Sequence, residues 1–163
     1  MIKNLDVVDS KLLFEEYTKI EHQLEWFNTG SQGRQCCIQT RPAEPLFMDG
    51  CGSVSPDVNL MDYDYNNPLI ENTIWAELIE KFNMYRTRFL WVNEKSCYSM
   101  HKDSSPRIHI PIFTNPQALF YFSKTGFHYL SPNKVHWVDT RSMHSFVNFS
   151  DQKRLHLVGC VEG

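Results

Sequence analysis

From position 86 onward the chain is a succession of short apolar runs. "RTRFLWV", "CYSMH", "RIHIPIF", "ALFYF", "FHYL", "KVHWVD", "HSFVNF" and "RLHLVGC" are each rich in β-branched and aromatic residues. Turn-forming pieces separate them: residues 103–106 and the tetrapeptides "NEKS", "TNPQ", "SKTG", "SPNK" and "SDQK". Eight short strands at this spacing predict a sandwich or barrel rather than parallel βαβ units.

The N-terminal half is patterned differently. Between 11 and 27, Leu13, Tyr17, Ile20, Leu24 and Phe27 recur at steps of four and three, the period of one helix face, and Ser10 is placed to cap that helix. A second helix is predicted over 72–84, with Trp75, Leu78, Ile79 and Phe82 on one side. From Asn28 to Pro68 lies a stretch rich in glycine and proline, with only a short strand-like piece at "QCCIQT". An irregular segment of that length in a compact domain is commonly a functional loop. The expected architecture is one domain over 1–163. A helical and loop part, 1–84, packs on a mainly β core, 85–163, most simply a jelly roll of the double-stranded β-helix, cupin-like kind.

The strand period of two singles out a group of polar residues. Residues i and i+2 of a strand share a face. In "RIHIPIF" the isoleucines Ile108, Ile110 and Ile112 therefore take one face and Arg107 and His109 the other. By the same rule His101 pairs with Asp103, His144 with Phe146 and Asn148, and Arg154 with His156. Pro111 interrupts the ladder and predicts an edge or irregularity there. Buried polar side chains are costly singly, so four strands with polar inward faces predict one shared interior pocket.

Composition narrows what the pocket serves. The net charge is −3, and no cluster of Lys and Arg interleaves with aromatics, which argues against a nucleic-acid partner. No apolar run reaches 18 residues, so a membrane span is not expected. Five cysteines, an odd number with no C-x-x-C pair, point to neither a disulfide framework nor a cysteine zinc site. They suggest a reduced, cytoplasmic-type protein.

Two neutral imidazoles and one carboxylate, His101, Asp103 and His144, make a facial triad, and Fe(II) is the divalent metal this set fits best. Such a triad leaves positions for a chelating co-substrate and O₂. Arg154, ten residues past His144, offers a planar fork suited to bidentate binding of a carboxylate beyond the metal. H-x-D alone carries little weight; its strand context raises it. His22, His128 and His136 read as structural or surface groups, and His156 equally as pocket-lining or core. Trp137 and Phe146 read as core.

Set in eight short strands, His101-x-Asp103 followed by His144-x9-Arg154 resembles the 2-oxoglutarate/Fe(II)-dependent oxygenases. The detail "YRTRFLWV…MHKD…RIHIPI…VHWVD…MHSFVNFS…RLHLV" is similar to their aspartyl/asparaginyl β-hydroxylase branch, which includes small proline hydroxylases. The likeness covers about residues 85 to 161. It implies a double-stranded β-helix with His101, Asp103 and His144 as iron ligands and Arg154 as anchor for the distal carboxylate of 2-oxoglutarate. It further implies that Arg107 and His109 line the co-substrate site. The implied activity is hydroxylation of an amino acid or peptidyl side chain, releasing succinate and CO₂. Asp103 sets the chain nearer the proline-hydroxylase-like members than the animal hydroxylases that lack this carboxylate. Pro132-Asn133 stands where a glycine is usual, and no C-terminal helix is expected to close the site.

Substrate selectivity is expected from segment 28–68 draped over the pocket mouth, with Arg41 or Arg88 pairing a substrate carboxylate. Two other readings stay open at this point. One is a cupin-like metalloenzyme with the same ligands and no 2-oxoglutarate, the other a non-catalytic jelly-roll binding module. The sequence leaves oligomer formation open.

Overall fold

The computed structural model describes residues 1–42 and 46–163, so positions 43–45 of the irregular segment lie outside the described residues. In chain order the elements are β1 (Ile2–Val7), α1 (Ser10–Ile20), β2 (Phe27–Asn28), β3 (Gly33–Cys37), β4 (Gln39–Thr40), β5 (Tyr65–Asn66) and α2 (Ile74–Lys81). There follow β6 (Tyr85–Val92), β7 (Ser96–Cys97), β8 (Arg107–Phe113), β9 (Ala118–Phe122), β10 (Gly126–Tyr129), β11 (Lys134–Val138), β12 (His144–Asn148) and β13 (Arg154–Cys160). A seven-stranded sheet runs β1-β11-β8-β13-β6-β3-β2 and faces a four-stranded sheet, β10-β9-β12-β7, while β4 and β5 form a small ribbon. The described pairings are antiparallel. The fold is a jelly-roll double-stranded β-helix. Among the described residues no helix is long and apolar enough to cross a membrane.

Alternation along the large sheet divides the core in two. Outward residues Phe89, Ile108, Ile110, Ile112, Leu155 and Leu157 pack under the helices against Leu13, Tyr17, Trp75, Leu78 and Ile79. Edge-on aromatic contacts hold this layer, Tyr17 and Trp75 lying 5.2 and 5.0 Å from Phe89 between centroids. Trp91 Nε1 donates to the Tyr17 hydroxyl at 3.0 Å, so the half-buried indole is not left unpaired. Inward residues Leu90, Val92 and Val158 meet Ala118, Phe120, Phe122 and Phe146 of the small sheet. The isoleucine face of β8 thus belongs to the helix-covered core, and its Arg107–His109 face to the space between the sheets.

Several boundaries differ from expectation. Asp9, not Ser10, caps α1, its carboxylate accepting from the Lys11 and Leu12 amides. Ser10 instead donates its hydroxyl to the Pro111 carbonyl (2.7 Å) and accepts from the Asn133 amide (2.8 Å), fixing α1 to β8. The helix stops at Ile20 and passes through a 3₁₀ turn, because Phe27 and Asn28 pair with β3 as a strand. The second helix is shorter than 72–84 because Asn72 and Asn83, at φ 58° and 49°, are left-handed and bracket it. The N-terminal half is not only helix and loop: β1 extends one edge of the large sheet, and β3 with β2 the other. Pro111 sits where the β11 pairing with β8 has ended, beside a register shift against β13. Its missing amide therefore costs no ladder bond toward β11.

Candidate metal and anion site

His101 and His144 face each other across an isolated antiparallel bridge. The amide of each donates to the carbonyl of the other, both at 2.9 Å. Opposed residues of such a pair project side chains to one side, and the rings meet at 4.4 Å between centroids. Asp103, two residues on, is turned to the same side, and its amide donates to the Thr140 carbonyl at 2.9 Å. The ligand atoms of His101, Asp103 and His144 all lie within 4.8 Å of one another. His101 Nε2 is 3.9 Å from Asp103 Oδ1, and His144 Nε2 is 3.6 Å from Oδ2.

The tautomers follow from the backbone. His101 Nδ1 lies 2.8 Å from the Ser99 carbonyl and His144 Nδ1 lies 2.9 Å from that of Ser142. A carbonyl only accepts, so each Nδ1 carries the proton and each Nε2 keeps a free lone pair. A signal for this arrangement stands in the sequence unread: Ser-Met-His occurs at 99–101 and again at 142–144. Burial pushes the His144 pKa below the ordinary histidine range, keeping the neutral imidazole that a metal requires. Arg107 Nη2 binds Asp103 Oδ1 at 2.5 Å, while Oδ2 is buried without a hydrogen-bond partner. One oxygen is thus held from behind and the other is free. That is the outer-sphere arrangement of a ligating carboxylate.

The cavity holding these groups measures about 1260 Å³. Arg88, Arg107, His109 and Arg154 line it together with the triad. Arg154 is 1% exposed, its guanidinium carbon sits 3.8 Å over the Phe146 ring, and its Nε and Nη1 have no hydrogen-bond partner. Burial lowers its pKa to about 9. Among the described residues Arg154 has no acidic partner, and a buried cation in that state is costly and marks a place for an anion. Arg88 is likewise buried with Nε and Nη1 unsatisfied. His109 and His156 are buried neutral: desolvation first, then the Arg154 charge, hold both well below the ordinary range.

The expected wall segment contributes Asn28, Thr29, Gln32, Gln35 and stretches 52–56 and 58–61 to the lining. Arg41 is not among the lining residues. Its guanidinium forms a two-point ion pair with Asp49, Nε–Oδ2 at 3.1 Å and Nη2–Oδ1 at 2.8 Å. Arg86 and Tyr98 are lining residues that the sequence reading did not single out. Arg86, at φ 51°, donates to the carbonyls of Gly50 and Gly52, each at 2.8 Å. Tyr98 carries a buried, unpartnered hydroxyl. His128 bonds Thr125, and His136 Nε2 bonds the Ser131 carbonyl, both outside the lining.

No protein-family profile and no curated protein matches the sequence. Solved structures do. A prolyl-4-hydroxylase from Pseudomonas putida is similar at 10% identity over 100% of this chain and 92% of its own, with a TM-score of 0.58. HygX from Streptomyces hygroscopicus, with nickel, 2-oxoglutarate and hygromycin B bound, is similar at 9% identity over 97% and 81%, TM-score 0.56. An oxidoreductase of the 2OG-Fe(II) oxygenase family from Burkholderia pseudomallei is similar at 14% identity over 90% and 76%, TM-score 0.56. At these identities the likeness is one of fold.

Proposed function

We propose that the protein is a 2-oxoglutarate- and Fe(II)-dependent dioxygenase that hydroxylates an amino acid or a peptidyl side chain. One observation carries the reading. Two histidines with Nδ1 locked on backbone carbonyls and one half-satisfied carboxylate converge in a cavity that also buries the unpaired Arg154. The fold shared with a prolyl-4-hydroxylase, with a 2OG-Fe(II) oxygenase family protein and with HygX, which holds nickel and 2-oxoglutarate, supports it.

His101 Nε2, His144 Nε2 and Asp103 Oδ2 would hold the metal. Bound Fe(II) and 2-oxoglutarate supply the two-electron oxidation of a C–H bond by O₂, with succinate and CO₂ as co-products. The chain's own contribution is positional and electrostatic. Arg107 keeps Asp103 oriented. Arg154 takes the distal carboxylate in a bidentate contact, and His109, neutral and unpartnered, has a ring N–H to offer the co-substrate. Arg88 remains to pair a carboxylate of the substrate, a small molecule or peptide.

The test is anaerobic Fe(II) titration followed by aerobic assay of succinate release across amino acids and peptides. Stoichiometric Fe(II) binding and 2-oxoglutarate turnover stimulated by one substrate class are expected. Fe(II) binding without 2-oxoglutarate binding would turn the assignment to a cupin-like metalloenzyme. Absence of metal binding would leave a non-catalytic module.

A further inference from the structure

Behind the cavity wall, two thiols lie against each other. Cys37 ends β3 fully buried, Cys51 lies in the wall segment partly exposed, and their sulfurs are 3.5 Å apart. Local structure holds them there. The Phe47 carbonyl accepts from the Cys37 amide at 2.7 Å and from the Cys51 thiol at 3.4 Å. Arg86 grips the carbonyls of Gly50 and Gly52, the residues on either side of Cys51. Gly50, at φ +85°, lets the chain pass where a Cβ would lie 2.9 Å from the Tyr63 ring and 3.5 Å from the Cys37 sulfur. A disulfide needs sulfurs at about 2.05 Å, so a further approach of about 1.5 Å closes the bond.

We propose that Cys37 and Cys51 form an oxidant-responsive cysteine pair, converted to a disulfide by peroxides, which staples the cavity wall to the large sheet. The step balances. The Cys51 thiolate attacks one oxygen of hydrogen peroxide; the O–O bond breaks, hydroxide leaves and, with the thiol's proton, becomes water. Cys37 then attacks the Cys51 sulfenic sulfur. The S–S bond forms, the S–O bond breaks, and the second hydroxide leaves as water with the Cys37 proton. Two thiols are oxidised by two electrons and one peroxide is reduced. Cys51 is the attacking partner because it is the more exposed, and the hydrogen bond from Cys37 lowers its pKa while that same bond and burial raise Cys37. Neighbouring Cys36 is excluded because, one residue along β3, it points to the opposite face and packs into the helix-covered core. Residues 52–56 follow Cys51 directly and line the cavity, so the bond fixes the wall at its root. This inference is independent of the reaction proposed for the cavity.

The test treats the folded full chain, carrying Cys97→Ser to remove the exposed thiol, with stoichiometric hydrogen peroxide. Remaining thiols are then alkylated under denaturing conditions, and the peptides are mapped by mass. Four of the five cysteines remain in that variant. The expected result is two alkylated thiols, at Cys36 and Cys160, and a cross-linked peptide pair joining Cys37 to Cys51 that dithiothreitol releases. Adding Cys51→Ser should leave all the remaining thiols alkylatable. Four alkylated thiols after peroxide, a different cross-linked pair, or Cys51 carried to sulfinic acid without a cross-link would each overturn the proposal. The mapping decides the matter even should Cys51→Ser fold poorly.

Discussion

Arg154 is a cation shut away from water and, among the described residues, without an acidic partner, and the protein tolerates it beside a ring face. If its function is to clamp a carboxylate, its fork is the property that counts, not its charge. Arg154→Lys is expected to weaken 2-oxoglutarate binding by about 10- to 100-fold, the worth of a lost charge-assisted hydrogen bond, and to leave divalent metal affinity unchanged. Calorimetric titration of each in turn checks this; equal 2-oxoglutarate affinity would remove the clamp. His156 gives a second prediction. Its folded pKa is depressed by burial, and Arg154, His109 and His136 around it oppose a further positive charge. In the unfolded chain it titrates near the ordinary value of about 6.5. Its contribution to stability is therefore full above that value and lost as pH falls below it. Each histidine held neutral costs about 2 kcal/mol between pH 7 and pH 5. In urea unfolding of the apoprotein, His156→Gln should lose that much less stability over this interval than the parent, and an identical loss would refute the assignment.

At the level of elements, close approach governs β3. Its first residue, Gly33, pairs with Val92 of β6, and a Cβ there would lie 2.0 Å from the Trp91 carbonyl oxygen. Gly33→Ala should cost about 2–4 kcal/mol, the range of a backbone clash that cannot relax. Gly126, at φ +79° with open space for 4 Å around the place a Cβ would take, should cost only about 1 kcal/mol on substitution by Ala, from backbone strain alone. Thermal unfolding of the two variants measures the difference, and equal costs would discount the clash. What the sequence made legible among the elements follows the same physics. The large-sheet strands β6, β8, β11 and β13 alternate between a helix-covered face and the face between the sheets, while β9 of the small sheet alternates between buried and half-buried positions, so their period of two was visible. Strand β1 was not visible because it is an edge strand with four of six residues exposed and a register shift between Asn4 and Asp6. Helix ends were missed where asparagines turn left-handed. His101 and His144 are brought together by an isolated antiparallel bridge, whereas Asp103 lies outside any strand and is turned to them by the bond of its amide to the Thr140 carbonyl, which no period shows. Asp49, eight residues on, meets the Arg41 guanidinium away from the cavity lining, a pairing the pattern does not show, and the grip of Arg86 on Gly50 and Gly52 spans 36 and 34 residues of sequence.

For the molecule as a whole, strands carry Arg88, Arg107, His109, His144 and Arg154 to the cavity, and loops supply His101, Asp103 and one wall of it. Arg88→Met should accordingly spare Fe(II) and 2-oxoglutarate binding while reducing substrate-stimulated succinate release by at least about tenfold, as expected for a lost charge-assisted contact. Undiminished stimulation would remove Arg88 from substrate recognition. The order of strands carries a different consequence, for how the chain is made. β13, which closes the described sequence of strands, lies in the middle of the large sheet, and β6 and β8 are neighbours only through it. A nascent chain emerging from the ribosome therefore holds two bare inner edges until β13 is released, and unpaired edges of this kind recruit other chains. Folding must wait for synthesis of β13 and then proceed through distant pairings, which is slow. A chain ending at Gln152 should be produced as aggregate rather than as a weakened native protein; a soluble product with the parent's circular dichroism would show that the sheet can assemble around an empty centre.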